Sequence, residues 1–176
     1  VVGPNGSGKT VLFRALLKLI KSHGLIYWAK HTKIGYVPQK LFIDNQFPVS
    51  VLDFFHFKTK SKQHITEALN SVGLAPHLET GFLSKKLGAL SGGQLQRVLI
   101  AWSILNKPDI LLFDEPTTPI DVGGEETIYN LLHKLQMNSH LAIILISHDL
   151  NIVYKYADKV LCLNKEKVCY GSPKEA

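Results

Sequence analysis

The sequence is poor in cysteine, with only Cys162 and Cys169 among its 176 residues. Two cysteines at this spacing form neither a disulfide framework nor a metal-binding motif, which excludes disulfide-rich and zinc-finger folds. Long hydrophobic runs are also absent. The longest covers residues 141–146, far short of the ~18 residues that a membrane-spanning helix needs. The sequence therefore predicts a globular protein without a transmembrane segment.

Strong charge of one sign is lacking as well. The formal net charge is +6, and the lysines are scattered except for the short group Lys58, Lys60 and Lys62. Such a group is typical of a solvated loop rather than of a nucleic-acid or lipid surface. Eight histidines are present, but none has the spacing of metal ligands. We therefore expect no nucleic-acid partner and no histidine metal site.

The chain has neither an initiator methionine nor a signal peptide. A glycine-rich loop of the kind that follows a β-strand begins at residue 3, so that only Val1 and Val2 represent that strand. We therefore expect N-terminal strands of the fold to be missing from this sequence.

Apolar periodicity predicts an α/β fold. Helical spacing marks residues 9–20, 49–57, 62–72 and 125–137, and short strands are predicted at residues 25–28, 33–37, 110–113 and 141–146. The last two strands are wholly apolar, as in parallel sheets that helices cover on both faces. We expect one domain over residues 1–176, in which a helical segment, residues 47–90, interrupts a mostly parallel sheet flanked by helices. Residues 1–46 and 91–176 form that sheet and its helices.

A closing hairpin is predicted from residues 160–163 and 168–170. This pairing sets Cys162 opposite Cys169. Because the low cysteine content fits a reducing compartment, we expect two packed thiols rather than a disulfide.

The segment GPNGSGKT at residues 3–10 matches the phosphate-loop pattern G-x-x-x-x-G-K-[ST] and opens a predicted helix. Glycines let the backbone N–H groups wrap a phosphate, and the helix start adds partial positive charge. Lys9 is expected to reach the β- and γ-phosphates, and Thr10 to hold Mg²⁺. The predicted phosphate-binding residues are Asn5, Gly6, Ser7, Gly8, Lys9 and Thr10.

Polar residues follow three of the predicted strands. Asp114 and Glu115 end an apolar strand, where the first can bind Mg²⁺ and the second can polarise a water for attack on a phosphate. His148 follows the next strand and Gln39 an earlier one. An acidic strand end or a lone histidine is more often structural, but the phosphate loop favours a functional interpretation of Asp114 and Glu115, and the parallel placement of His148 with Glu115 favours one for His148. Gln39 could sense the γ-phosphate by its position, although alone it carries little weight.

A second glycine-marked helix start lies at LSGGQ, residues 90–94. Ser91 can cap the helix, and the glycines leave N–H groups at its positive end, which is a second potential anion site. The alternative is a simple helix cap.

Together these motifs resemble an ATP-binding-cassette (ABC) ATPase. The phosphate loop, Gln39 in IGYVPQ, LSGGQLQRVLIA, ILLFDEP, Asp121 and His148 occur in the family's order over essentially the whole chain. The resemblance implies a P-loop NTPase fold with a RecA-like core and an inserted helical subdomain. It also implies two domains paired head to tail, each closing its LSGGQ motif over ATP held by the other.

The resemblance assigns roles to particular residues. Thr10, Gln39 and Asp114 are the implied Mg²⁺ ligands, Glu115 the general base and His148 the switch histidine, with Gln39 also acting as the lid glutamine. Across the dimer, the implied contacts come from Ser91, Gly93, Gln94 and Asp121. The sequence departs from the family at Val11, Trp102 and Glu166, and the family's adenine-stacking aromatic precedes the phosphate loop.

Among ABC proteins, FPVSVLDFF at residues 47–55 and the turn at residues 117–121 most resemble ATPases of zinc, manganese or iron importers. That implies a peripheral protein on the cytoplasmic face of the cell membrane, a second identical ATPase subunit and an integral membrane permease. The alternative is a non-transport ABC ATPase that acts on DNA or ribosomes. Such proteins usually carry long coiled coils or duplicated cassettes, and this sequence has neither.

Overall fold

The structure is a computed structural model that describes residues 1–39, 41, 43–44, 46–78, 80–116, 122–139, 141–164 and 167–174. The helices are α1 (Lys9–Leu16), α2 (Val51–His56), α3 (Lys62–Ser71), α4 (Ala75–Leu78), α5 (Gly92–Ile104), α6 (Val122–Ser139) and α7 (Leu150–Tyr156). The strands are β1 (Ile34–Val37), β2 (Ile110–Asp114), β3 (Ala142–Ile146), β4 (Val160–Asn164) and β5 (Lys167–Gly171). Two 3₁₀ turns, Phe82–Ser84 and Leu87–Ala89, precede α5.

Strands β1, β2 and β3 form a parallel sheet in that order, while β4 and β5 form an antiparallel hairpin. Residues 1–2 lie between the two units. The Val1 carbonyl accepts a hydrogen bond from Ser147 at 3.1 Å, and the Val2 carbonyl accepts one from Leu163 at 2.8 Å. The start of the chain therefore joins the hairpin to the sheet.

Helices cover both faces of the sheet. In β2, Leu111 and Phe113 face a large apolar core built with α2, α3, α5 and α6, while Leu112 faces Phe13 of α1 on the other side. All four side chains are fully buried. This alternation is what a strand covered on both faces requires, and it confirms the predicted α/β architecture with a parallel sheet.

Two predictions near the start of the chain were wrong. Helix α1 ends at Leu16 rather than residue 20, because Lys18 adopts a left-handed conformation (φ 58°) and the Leu19 amide bonds back to Arg14. Residues 25–28 form no strand. Leu25 is 94% exposed, and Trp28 instead donates from Nε1 to the Leu16 carbonyl at 3.1 Å. A strand needs a neighbouring edge to bond with, and local apolar character does not supply one.

Between residues 47 and 90 the described elements are the helices α2, α3 and α4 and the two 3₁₀ turns. Ser50 begins α2 with a capping box, in which its hydroxyl accepts from the Asp53 amide while the Asp53 carboxylate accepts from the Ser50 amide. Ser50 also forms a β-bridge with Lys86. The helical character predicted for this segment agrees with the structure, although α4 was not predicted. Helix α7, which lies later in the chain, was not predicted either.

The predicted hairpin is present, with Cys162 directly opposite Cys169. The expectation of two free thiols was wrong, because the two residues form a disulfide. Directly opposed residues of an antiparallel pair have closely spaced Cβ atoms, and the Cα atoms here are 4.9 Å apart. Strand register therefore brought the sulfur atoms within bonding reach.

In the part of the chain that the structure describes, every helix is too short or too polar to cross a lipid bilayer.

Candidate functional site

The phosphate loop connects residues 1–2 to the start of α1. Gly8 is the N-cap of α1 with φ 97°, and no side chain caps the helix, which leaves first-turn N–H groups for a ligand. Gly3 lies against the hairpin, where an added Cβ would sit 2.1 Å from the Leu163 carbonyl oxygen. Only glycine fits there, so packing against the hairpin fixes where the loop begins.

Two polar side chains of the loop indicate what it can bind. Lys9 is buried, and its ammonium donates to the carbonyls of Gly3 (2.8 Å) and Pro4 (3.0 Å). The Ser7 hydroxyl is buried and has no hydrogen-bond partner among the described residues. A buried hydroxyl without a partner is costly, and an anionic oxygen bound in the loop would satisfy it. The loop therefore fits a phosphate group.

Asp114, at the end of β2, lies beside the loop. Thr10 donates to its Oδ1 at 3.2 Å, and the hydroxyl of Tyr36 in β1 donates to its Oδ2 at 3.5 Å. Burial raises the pKa of Asp114, and the neighbouring Glu115 adds to that rise, while the two hydrogen bonds oppose it. A buried carboxylate beside a hydroxyl is a set of hard oxygen ligands suited to a divalent cation.

Glu115 follows directly and is held at both carboxylate oxygens. Gln39 donates from Nε2 to Oε2 at 2.7 Å, and His148 Nδ1 contacts Oε1. The backbone of Glu115 has φ 35°, a left-handed conformation that is unfavourable for a residue with a Cβ. Such strain is found most often at functional sites, where the surroundings enforce it.

Gln39, Glu115 and His148 border a cleft of about 660 Å³, a volume within the range of small-molecule sites. Its lining residues are Val2, Gly3, Pro4, Asn5, Gln39, Glu115, His148 and Leu150. Asn5 of the phosphate loop therefore meets Gln39, Glu115 and His148, which follow β1, β2 and β3, at one edge of the sheet.

The LSGGQ motif is not part of this cleft lining. Ser91 begins α5 with a capping box, since its hydroxyl accepts from the Gln94 amide and the Gln94 side chain accepts from the Ser91 amide, both at 3.2 Å. Gly92 and Gly93 face open space. Both the capping role and an accessible helix start are thus present, and the predicted residues Ser91, Gly93 and Gln94 lie apart from the cleft lining.

Gln39 bonds to Glu115, and the described residues contain no hydrogen bond from it to Thr10 or Asp114. Asp121, residues 117–120 and Glu166 lie outside the described residues.

Sequence reasoning missed Tyr36 as a partner of Asp114. The signal was present in the strand alternation, because Tyr36 points to the opposite face from the buried Val37 and packs with the group around Phe13. Recognising it required the pairing of β1 with β2, which aligns Tyr36 with Leu112.

Comparison with known proteins identifies a matching family. Residues 1–118 match the family model described as "ABC transporter". The chain is 43% identical over 175 residues to the zinc import ATP-binding protein ZnuC of Pasteurella multocida, covering 98% of this chain and 65% of that protein. It is 42% identical over 177 residues to the ZnuC of Wigglesworthia glossinidia brevipalpis, covering 74% of it. The chain thus spans slightly less than two thirds of the Pasteurella relative's length.

Solved structures show the same likeness. One is described as an inward-facing conformation of a metal-chelate type ABC transporter, with a TM-score of 0.81 and 30% identity over 99% of this chain and 72% of that chain. Another is cbiO1 from Clostridium perfringens, described as part of the transporter complex cbiONQ, with a TM-score of 0.76 and 29% identity over 99% of this chain and 78% of that chain.

Proposed function

The chain belongs to the ABC transporter family, and we propose that it is the ATP-binding and ATP-hydrolysing subunit of a metal-ion transporter. The observation that carries this proposal is the contact of Glu115 with both Gln39 and His148 at the rim of the cleft. A carboxylate oriented in this way beside a phosphate-type loop is suited to accept a proton from a water molecule that attacks a phosphate.

ATP is the proposed substrate. The start of α1 offers uncapped N–H groups, the buried Ser7 hydroxyl lacks a partner among the described residues, and Lys9 is held at the loop by two carbonyls. These features support binding of the phosphates by Asn5, Gly6, Ser7, Gly8, Lys9 and Thr10. On ATP binding, the Lys9 ammonium would exchange carbonyl partners for phosphate oxygens, a charge-assisted and stronger hydrogen bond.

Mg²⁺ is the proposed metal, held by Thr10 and Asp114, whose side chains already contact one another. Gln39 is the third proposed ligand. Its nitrogen bonds Glu115, so its amide oxygen is the atom that a cation would engage. Bound Mg²⁺ supplies positive charge against the phosphates. It would also favour the ionised form of Asp114, opposing the effect of burial on that carboxyl.

The second half of the site is proposed to come from another copy of this chain. Ser91, Gly93 and Gln94 lie at the start of α5, where Gly92 and Gly93 face open space, and they are apart from the cleft lining. In a head-to-tail dimer, this helix start would approach the ATP that the partner holds, and Asp121 is proposed to act at the same interface. ATP would close the dimer and hydrolysis would reopen it.

The proposed transporter context rests on the relatives. The ZnuC proteins carry the name of zinc import ATP-binding proteins, and we propose a metal ion, zinc among the candidates, as the transported substrate. The chain would act on the cytoplasmic face of the membrane, attached to an integral membrane permease. Residues 47–90 would form the helical subdomain that receives the permease, and residues 1–46 and 91–176 the nucleotide-binding core.

The first test replaces Glu115 by Gln in the full chain. Loss of the base is expected to lower ATP turnover by about 10²- to 10⁴-fold, while the dissociation constant for ATP stays within about twofold of wild type. Phosphate release and equilibrium ATP binding measure the two quantities. Glu67→Gln is the matched control, because Glu67 lies on the exposed surface of α3 and bonds only to Gln63 among the contacts described.

Normal turnover in Glu115→Gln would refute the assignment of Glu115. The transport context has its own test, since co-purification of the chain with a multispanning membrane protein is expected. Tight binding to DNA or ribosomes without such a partner would contradict the transporter proposal in favour of the non-transport alternative.

A further inference from the structure

An aromatic contact joins α2 to the last turn of the LSGGQ helix α5. The rings of Phe54 and Trp102 stack with centroids 5.1 Å apart and planes 23° from parallel. The Trp102 indole also donates from Nε1 to the Phe54 carbonyl at 3.2 Å. That carbonyl lies in the last turn of α2 and also accepts from the Phe57 amide at 3.3 Å. Trp102 therefore packs against α2 and adds a second hydrogen bond at its end.

Lys58 also contacts Trp102. Its ammonium lies 3.6 Å from the centre of the Trp102 ring and donates to the Trp102 backbone carbonyl at 2.9 Å. Burial lowers the pKa of Lys58, so keeping this charge next to the indole has a cost. The cation–π contact and the carbonyl bond offset that cost. Phe54, Lys58 and Trp102 form a cluster that we call the α2–α5 clamp.

The other end of α2 is tied to the segment that leads into the LSGGQ motif. The Val51 amide donates to the Lys85 carbonyl at 2.9 Å, and the Leu87 amide donates to the Val49 carbonyl at 3.0 Å. The 3₁₀ turn Leu87–Ala89 follows at once and leaves a single residue before Ser91. Helix α2 is therefore attached close to the start of α5 at one end and near the end of α5 at the other.

We infer that Trp102 is a positioning residue, which acts through α2 to hold the start of α5 in the orientation that presents Ser91 to a second copy of this chain. The inference rests on the proposed function, because Ser91 would contact ATP only in the proposed ATP-closed dimer. The clamp ties the end of α2 to the end of α5, in addition to the core packing of Val51 and Phe55. Without the clamp, the end of α2 would be less constrained, and its bonds to residues 85–87 would pass that freedom to the start of α5.

Hydrogen exchange on the full chain tests the inference without requiring ATP hydrolysis. In Trp102→Ala, the amides of Gln94 and Leu95 are expected to exchange about 5- to 10-fold faster, although they lie at the opposite end of α5 from the substitution. Both amides bond to Ser91 in the wild-type structure. Unchanged exchange at these two amides would overturn the inference, whatever the protein's activity.

Turnover supplies the second measurement. Trp102→Ala is expected to lower kcat about 10-fold. The dissociation constant for ATP should be unchanged, because Trp102 contacts Phe54 and Lys58 rather than the phosphate loop, residues 3–10. Trp102→Phe, which keeps the ring stack but not the N–H donor, should restore most of the loss. Equal losses of kcat and ATP affinity would indicate general destabilisation and overturn the inference.

Trp28→Phe is the matched control. Trp28 makes the same kind of bond, from its indole to the Leu16 carbonyl at the end of α1, and its loss should leave exchange at Gln94 and Leu95 unchanged. If Trp102→Ala is too unstable to purify, Lys58→Met removes the ammonium that contacts Trp102 and should accelerate hydrogen exchange at the same two amides. An ATPase-inactive wild-type chain would refute the proposed function, while the exchange result would still decide the role of Trp102.

Discussion

The two glycine-rich helix starts of this protein are built in opposite ways. Helix α1 begins at Gly8 without any side-chain cap, beneath a loop whose Ser7 hydroxyl has no partner among the described residues. Helix α5 begins at Ser91, and Ser91 and Gln94 satisfy each other's amides in a complete capping box. The first start has open hydrogen-bonding capacity next to a loop whose residues Gly3, Pro4 and Asn5 line the cleft. The second is satisfied by its own side chains and faces solvent.

The difference shows that two glycine-rich helix starts can have different hydrogen-bonding environments. An uncapped start beside a buried hydroxyl without a partner among the described residues retains donors that a bound anion could satisfy. A capped and exposed start is stable alone, and it gains contacts only if another surface approaches it. This agrees with the proposal that α1 binds the phosphates first and that α5 contributes after two copies meet. Four predictions test the comparison.

The largest effect is expected at the α1 start. Lys9→Met removes the ammonium proposed to contact the phosphates, and the dissociation constant for ATP should rise about 100-fold, as for the loss of one buried charged partner. Equilibrium ATP binding to the full chain measures it. Lys21→Met, at an exposed lysine beyond α1, should leave the affinity unchanged. A rise of less than about threefold in Lys9→Met would contradict the assignment.

A smaller effect is expected at the α5 start, and it should appear in turnover rather than in ATP binding. Ser91→Ala should lower turnover about 10-fold, as for one hydrogen bond to a charged group, and destabilise the fold by about 1 kcal/mol through loss of the cap. Ser61→Ala removes the comparable cap of α3 and should cost similar stability with turnover unchanged. If both variants lost turnover equally, Ser91 would be a structural cap only.

Backbone strain at Glu115 provides a third and smaller effect. Because φ is 35° at this residue, Glu115→Gly should be more stable than Glu115→Ala by about 1 kcal/mol, measured by denaturant unfolding. Comparing the two variants cancels the loss of the Gln39 and His148 contacts. At Glu67, inside α3, the order should reverse, since glycine is the poorer helix residue there. The same order at both positions would argue against strain at Glu115.

The smallest effect concerns pH. The α2 capping box contains a carboxylate, and the hydroxyl and amide of Ser50 hold the pKa of Asp53 below its usual value of 3.8. A lowered carboxyl pKa stabilises the fold above 3.8, and this contribution is lost as the pH falls through the folded-state pKa. The stability difference between wild type and Asp53→Asn should therefore shrink in acid. The neutral box at α5 gives the control, because the cost of Gln94→Ala should not vary over the same pH range.

Several features were predictable because they depend on neighbouring residues. The phosphate loop, the acidic end of β2 and the cap at Ser91 are each contained in a few consecutive residues. The predicted hairpin register was also correct, since a short turn leaves few alternatives. The outcome at Cys162 and Cys169 was not predictable in the same way. The register showed that the two cysteines face each other. How closely their sulfur atoms approach, and so whether they form a disulfide, depends on the geometry of the folded hairpin.

Other predictions failed where a distant part of the chain had the deciding role. Residues 25–28 have strand composition but no paired edge, and Trp28 bonds to α1 instead. Tyr36 reaches Asp114, 78 positions away in the sequence, only because β1 and β2 are paired. The clamp at Trp102 depends in the same way on a contact between residues 48 positions apart.

The amino-acid sequence alone determined the helix starts at the phosphate loop and at LSGGQ, the parallel α/β class and the order of the motifs, because local hydrogen bonding and apolar periodicity specify them. Only the tertiary structure decided that Gln39 and His148 hold the same carboxylate, across 76 and 33 residues. It also decided that the LSGGQ helix start lies apart from the cleft lining. Contacts of this kind follow from strand order and helix packing, which bring together residues that no local pattern relates.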